Sequence, residues 1–128
     1  MYLMDAGAES CFFAGDTALT PDTHQVVSEI LHKDSRQLDV ALLPIGSWGP
    51  QRAPWHLGPF GAARLAGAIG SRVVVPIHWG TLHPRGRAPG SWFHDPPRRF
   101  ADQVAELAPD VEVRVLSQGD AGPAVRVR

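Results

Sequence analysis

Two residues of this chain combine a metal-ligating side chain with a setting that would expose it. Asp16 follows the apolar run Phe12-Phe13-Ala14 through Gly15 and precedes Thr17. His78 follows Val73-Val74-Val75-Pro76-Ile77 and leads into Trp79-Gly80-Thr81. Each stands directly after a β-like segment, and in open α/β sheets the carboxyl ends of strands carry the ligand-binding loops. A carboxylate oxygen and an imidazole nitrogen suit zinc or a similar divalent ion. A catalytic zinc takes three protein ligands and a water, so these two residues alone fall short of a site. Each also has a plainer reading: an aspartate beside Gly15 can satisfy turn amides, and a strand-end histidine can simply pack. Their matching positions favour ligands.

The elements that must hold them follow from periodicity and punctuation. Tyr2 to Met4 and Ser10 to Ala14 read as strands around the turn Asp5-Ala6-Gly7-Ala8-Glu9, so the chain is expected to begin inside a sheet. Thr20-Pro21-Asp22 supplies a capping hydroxyl and a proline at the first helical position, with Val26, Val27, Ile30 and Leu31 at helical spacing to about His32. Val40 to Ile45 is a short, nearly all-apolar strand of the doubly buried type, ended by Gly46. A loop over 47–58 leads to a helix from Pro59 to Ile69. Its candidate core positions are Phe60, Ala63, Leu65, Ala66 and Ile69, and Gly70 is placed to end it in a left-handed conformation. A strand over Arg72 to Ile77 follows, then a long loop over 79–95 without periodicity. Asp95-Pro96 is expected to cap a helix with Phe100, Val104 and Leu107 on its apolar face. Val111 to Leu116 and Ala124 to Val127 alternate as two closing strands.

This order predicts an α/β fold with one mixed sheet and about three helices mainly on one face. The 128 residues read as a single unit, without internal repeats or a linker. Three helices cannot cover both faces. Tyr2, Cys11, Phe13, Leu42, Val74, Val113 and Val115 are expected to need a second layer, because an open sheet face would exceed the ~400 Å² apolar patch tolerated on a soluble monomer.

Composition narrows the function classes. A net charge of -1 argues against nucleic acid or an anionic membrane as a general partner. No run approaches the ~20 apolar residues of a membrane span, and the N-terminus lacks a basic stretch followed by a long apolar one. One cysteine, Cys11, excludes an internal disulfide and makes the cytoplasm the default setting.

Taken together, the strand before Gly15-Asp16-Thr17, the strand end Leu43-Pro44-Ile45-Gly46, His56 ahead of the Pro59 helix, and Val75-Pro76-Ile77-His78-Trp79-Gly80-Thr81 resemble the C-terminal half of a metallo-β-lactamase-fold hydrolase. The branch is similar to ascorbate-phosphate lactonases and the N-acyl-phosphatidylethanolamine phospholipase D type. The resemblance covers roughly residues 2 to 116. Gly-Asp-Thr by itself is weak; the Pro-Ile-His-Trp-Gly-Thr run after an apolar strand is the more specific signal.

The resemblance implies half of an αβ/βα sandwich whose two sheets face one another and share a metal centre at one edge. It implies that Asp16 bridges two divalent ions and His78 completes the second. It places His56 facing the active site, assisting substrate binding or proton transfer, with a surface-loop histidine as the plainer reading. Complete members carry an upstream His-x-His-x-Asp-His motif. This chain has six histidines, His24, His32, His56, His78, His83 and His94, and none forms that motif. The expectation is therefore a domain whose N-terminal half is missing, with residues 1–128 forming the C-terminal portion and poorly active alone. Zinc is the default metal, with manganese or iron open. The substrate class is an ester, lactone or phosphodiester, small or lipid-like. The missing half or a second copy would cover the open sheet face. A non-catalytic dimer or binding module of the same fold, and an unrelated α/β binding domain with structural Asp16 and His78, are the competing readings.

The other polar and aromatic residues are read conservatively. His83 and His94 flank a Gly- and Pro-containing segment and are expected to be solvated loop residues. Trp48, Trp55, Trp79, Trp92 and Phe93 are candidates for a substrate cleft, with core packing an equal alternative for Trp79. Arg98 and Arg99 read as a solvated helix start, whereas Arg85 and Arg87 could meet an anionic substrate.

Overall fold

The computed structural model describes residues 1–7, 9–22, 25, 29, 37–46, 56–86, 88–117 and 119–122. Five strands form one sheet in the order β1 (Tyr2–Asp5), β2 (Ser10–Phe13), β3 (Val40–Pro44), β4 (Val73–Ile77) and β5 (Glu112–Val113). β1 and β2 are antiparallel, and β2 through β5 run parallel. The β1–β2 turn closes with the Gly7 N–H donating to Asp5 Oδ1 at 2.8 Å and Gly7 at φ 82°. The expected mixed sheet is thus present, although its last strand is only two residues long. The expected Ala124–Val127 strand lies outside the described residues. So does most of the expected first helix, of which Pro21, Asp22, Gln25 and Glu29 are helical.

Helix α1 (Pro59–Ile69) starts with proline at its first position and ends on Gly70, whose φ of 63° lets its N–H reach Ala66 O. Its buried residues are Ala62, Ala63, Leu65, Ala66 and Ile69. Phe60, expected in the core, is instead exposed. The buried stripe recurs three and four residues apart from Ala62, and Phe60 falls on the opposite side of the helix. A four-residue helix, α2 (Ser91–His94), interrupts the segment expected to be a loop. Helix α3 (Pro96–Leu107) buries Pro96, Pro97, Phe100 and Val104. Two expectations about α3 are corrected. Asp95 supplies no side-chain cap; it is itself in the helical region, and its carbonyl accepts the Arg99 N–H at 3.0 Å. Leu107 is exposed, and the following residue, Ala108, is the one packed into the core.

Register decides which sheet residues meet the helices, because successive side chains point to opposite faces. Phe12, Ala41, Val74 and Val113 stand in register on one face. Phe12, Ala41 and Val74 are buried with Leu43, Leu65, Phe100 and Val104 in the core. Tyr2, Phe13, Leu42 and Val75 stand in register on the other face, beside the row Met4, Cys11, Val40 and Val73. Of the residues expected to need a second layer, Tyr2, Cys11, Phe13 and Leu42 do lie on this second face. Val74 and Val113 belong to the helix-covered face, and Val115 lies beyond β5 and is exposed. The second face stays apolar across four strands, with Tyr2 and Met4 exposed on β1.

A polar clamp joins the opposite ends of the parallel strands. Asp39 is buried, and its Oδ2 accepts from the Ser10 backbone N–H (2.9 Å) and hydroxyl (3.0 Å), while Oδ1 accepts from Arg72 Nη1 (3.0 Å). Burial by itself would raise the Asp39 pKa, but these donors outweigh it and hold the carboxyl below its ordinary value. Among the described residues, no helix is long and apolar enough to cross a membrane.

Candidate metal centre

The carboxyl ends of β2, β3 and β4 lie side by side, and each delivers one part of the site. After β2, Gly15 turns the chain at φ 67° into Asp16. After β4 comes His78 at φ 59°, the one positive φ at a non-glycine position among the described residues. Histidine is enriched in this left-handed region relative to most side chains, yet it remains uncommon there and marks a place to look for function. Between them, after β3, lies Gly46. A Cβ on Gly46 would sit 1.9 Å from His78 O and 3.1 Å from Trp79 Cα, so only glycine permits this approach of the two loops. The Ile45 N–H donates to Ile77 O at 2.9 Å and keeps the strand ends paired up to that point.

His56 arrives from the segment before α1. The Leu57 N–H donates to Thr17 O at 2.9 Å, which ties the His56 loop to the Asp16 loop. His56 Nδ1 consequently lies in contact with Asp16 Oδ1, and His78 Nδ1 stands 3.9 Å from the same oxygen. The three expected site residues are therefore brought together around one carboxylate oxygen. Their side chains differ in exposure, at 59% for Asp16, 41% for His78 and 19% for His56, so the carboxylate is the most open of the three. His56 Nδ1 is buried, and the oxygen it meets is Asp16 Oδ1.

The His56 imidazole, the carboxylate and the second imidazole have the donor chemistry of a zinc-type ion. Their disposition is what falls short. Among the described residues, no group of three or more His, Cys, Asp or Glu side chains is disposed to hold a metal ion. The chain offers part of a ligand set.

A cavity of about 360 Å³ opens beside these donors. It is lined by Asp16, Gly46, His56, His78 and Gly80 together with Trp79, Thr81, Leu82, Trp92, Phe93 and Pro96. Trp79 also packs against the core, and its Nε1–H donates to Pro76 O at 3.2 Å, so it both lines the cavity and belongs to the packing beneath it. Trp92 and Phe93 come from α2 and meet edge to face, their centroids 5.7 Å apart. His83 and His94 are exposed and both pack edge-on against Phe93, at 5.7 and 4.9 Å between centroids. Arg98 and Arg99 are exposed, Arg98 paired with Asp102 at 3.3 Å. Trp48, Trp55, His24, His32 and Arg87 lie outside the described residues. Leu82 and Pro96 carried no functional signal in the sequence. Gly46 was visible there only as a strand end, because its importance is a tertiary distance.

The fold and the cavity at its strand ends define a class, and comparison with known proteins agrees with it. A solved metallo-β-lactamase fold protein, YhfI from Bacillus subtilis, superposes with a TM-score of 0.59 at 13% identity, covering 92% of this chain and 41% of that one, which shows the fold alone. Igni18, a metallo hydrolase from Ignicoccus hospitalis, superposes with a TM-score of 0.58 at 28% identity over 91% of this chain and 41% of its own. Residues 1–79 match the family described as the beta-lactamase superfamily domain. A UPF0173 metal-dependent hydrolase of Methanobrevibacter smithii is 33% identical over 109 residues, 85% of this chain and 38% of the relative. Its counterpart in Methanopyrus kandleri is 33% identical over 119 residues, 93% and 43% respectively. The chain belongs to the metallo-β-lactamase superfamily, among relatives named metal-dependent hydrolases. It spans about two fifths of the length of those relatives.

Proposed function

We propose that this chain is the C-terminal portion of a metal-dependent hydrolase domain, in which Asp16 and His78 are metal ligands and His56 assists at the same centre. The observation that carries the reading is the convergence of His56 Nδ1 and His78 Nδ1 on Asp16 Oδ1 at the carboxyl ends of parallel strands. A bound divalent pair, zinc by default, would supply a hydroxide at neutral pH and polarise the ester, lactone or phosphodiester under attack.

The chain's own residues do the rest. Asp16 can offer both carboxylate oxygens and a negative charge to offset two cations. His78, fixed by the backbone turn at φ 59°, offers one neutral nitrogen. His56, the most covered of the three, lies against Asp16, where it fixes the carboxylate's orientation and can exchange a proton with a group bound beside it. The remaining ligands come from a second layer over the apolar face that carries Tyr2, Phe13, Leu42 and Val75. That layer is the other half of the domain or a second copy of this chain. The unpaired Cys11 supports a cytoplasmic setting.

The same apolar face also favours the non-catalytic alternative, a dimer that pairs two such sheets. Size-exclusion chromatography with zinc, coupled to turnover of 4-nitrophenyl acetate and bis(4-nitrophenyl) phosphate in each fraction, separates the readings. Zinc-dependent turnover in an associated fraction that is lost in Asp16→Ala supports hydrolase function completed by a second copy. A zinc-loaded dimer without turnover supports the binding module, and turnover that survives Asp16→Ala contradicts the assigned centre.

A further inference from the structure

The cavity beside Asp16 is lined by two chemically different sets of residues. One is the donor set, and the other is Trp79, Leu82, Trp92 and Phe93. Leu82 is exposed despite its size, 56% open on the cavity rim. Trp92 and Phe93 stand edge to face on the short helix α2, a rigid arrangement that presents large apolar area. The one carboxylate among the described lining residues is Asp16, and none of them is a lysine or arginine. A charged group seated against these aromatic residues would lose its hydration without a counter-charge, whereas an apolar group would lose its hydration there at a gain. The volume, about 360 Å³, lies at the small end of the ~300–1,000 Å³ of ligand pockets.

We infer that Trp92, Phe93 and Leu82 form a subsite for a neutral, apolar, non-reacting group of the substrate. The bond to be cleaved then lies toward Asp16 and His78. The inference rests on the metal-centre reading for where the bond is cleaved, but the apolar subsite belongs to this chain and needs no metal. Trp92, Phe93 and Leu82 are specificity-determining residues in this assignment.

The test uses the metal-free chain and follows its tryptophan indole N–H signals by NMR during titration with hexanamide, a neutral unhydrolysable stand-in, and separately with inorganic phosphate. Hexanamide should shift the Trp92 indole signal saturably, and phosphate should not. Because Trp92→Ala removes the reporting indole, its titration, like that of Leu82→Asn, is followed at Trp79. Each substitution should weaken hexanamide binding roughly tenfold, the loss of buried apolar contact. Leu82→Asn keeps the test valid if Trp92→Ala fails to fold, since Leu82 is exposed. Absence of a saturable shift, binding unchanged in Leu82→Asn, or a phosphate response without a hexanamide response would overturn the inference. Zinc and hexanamide are titrated separately into the same protein, so failure of the metal centre and failure of the apolar subsite are distinguishable.

Discussion

Gly46 and His78 are in backbone contact across the ends of β3 and β4, and the position a Cβ would take on Gly46 is 1.9 Å from the His78 carbonyl oxygen. Gly46→Ala must therefore displace the very peptide that sets the His78 ring. Overpacking of this kind costs about 1–3 kcal/mol. The expected outcome is that loss in urea denaturation, together with at least a tenfold loss of zinc affinity by calorimetry. An alanine variant with unaltered zinc affinity would show that the contact does not position His78.

His78 itself is held at φ 59°, a conformation that costs an L-residue roughly 1–2 kcal/mol relative to glycine. His78→Gly relieves that strain, offset in part by glycine's greater freedom in the unfolded chain. Metal-free stability should stay level or rise slightly by thermal melting, while zinc binding falls. A marked loss of metal-free stability would mean that the imidazole serves packing.

The clamp at the other end of the strands gives a pH signature. The Asp39 carboxyl is held below its ordinary 3.8 in the fold, so its contribution is fully present above that value and is lost as pH falls through the lowered one. Urea midpoints measured from pH 5 downward should drop more steeply for the wild type than for Asp39→Asn. At neutral pH, Asp39→Ala should cost about 1–3 kcal/mol, because Ser10 and Arg72 lose a buried acceptor.

Two phenylalanines separate core from surface. Phe100, fully buried on α3, should cost about 3–5 kcal/mol as Phe100→Ala. Phe60, 51% exposed on the outer side of α1, should change stability by no more than about 0.5 kcal/mol as Phe60→Ser. Equal losses at the two positions would show that α1 is turned differently from the orientation described.

The contrast between Phe60 and Phe100 also marks what a sequence can carry. α3 has a polar background against which Phe100 and Val104 stand out, so its buried side was legible. α1 is apolar nearly throughout, and alanines rather than the largest side chain face α3, where Gly67 lies close to Ala108. Alternation alone did not assign Val74 to the helix-covered face, because a strand buried on both sides lacks a polar partner row; Val113 alternates with Glu112 and Arg114, but its pattern does not say which layer its apolar side meets. The helix α2 is too short to show a period. Asp16 and His78 were legible because strand ends advertise themselves through Gly15 and the Pro76-Ile77 run. The contact of His56 with Asp16 arises from long-range folding, through the Leu57 to Thr17 hydrogen bond, and no local pattern encodes it.

The most direct test of the metal centre is isothermal calorimetry of zinc binding to the purified chain and to its Asp16→Ala and His78→Ala variants. Saturable binding to the wild type is expected, weaker than at a four-ligand structural site, and it should be lost in both variants. Binding that persists unchanged in either variant would remove that residue from the metal, and with it the claim that Asp16 and His78 are ligands of one centre.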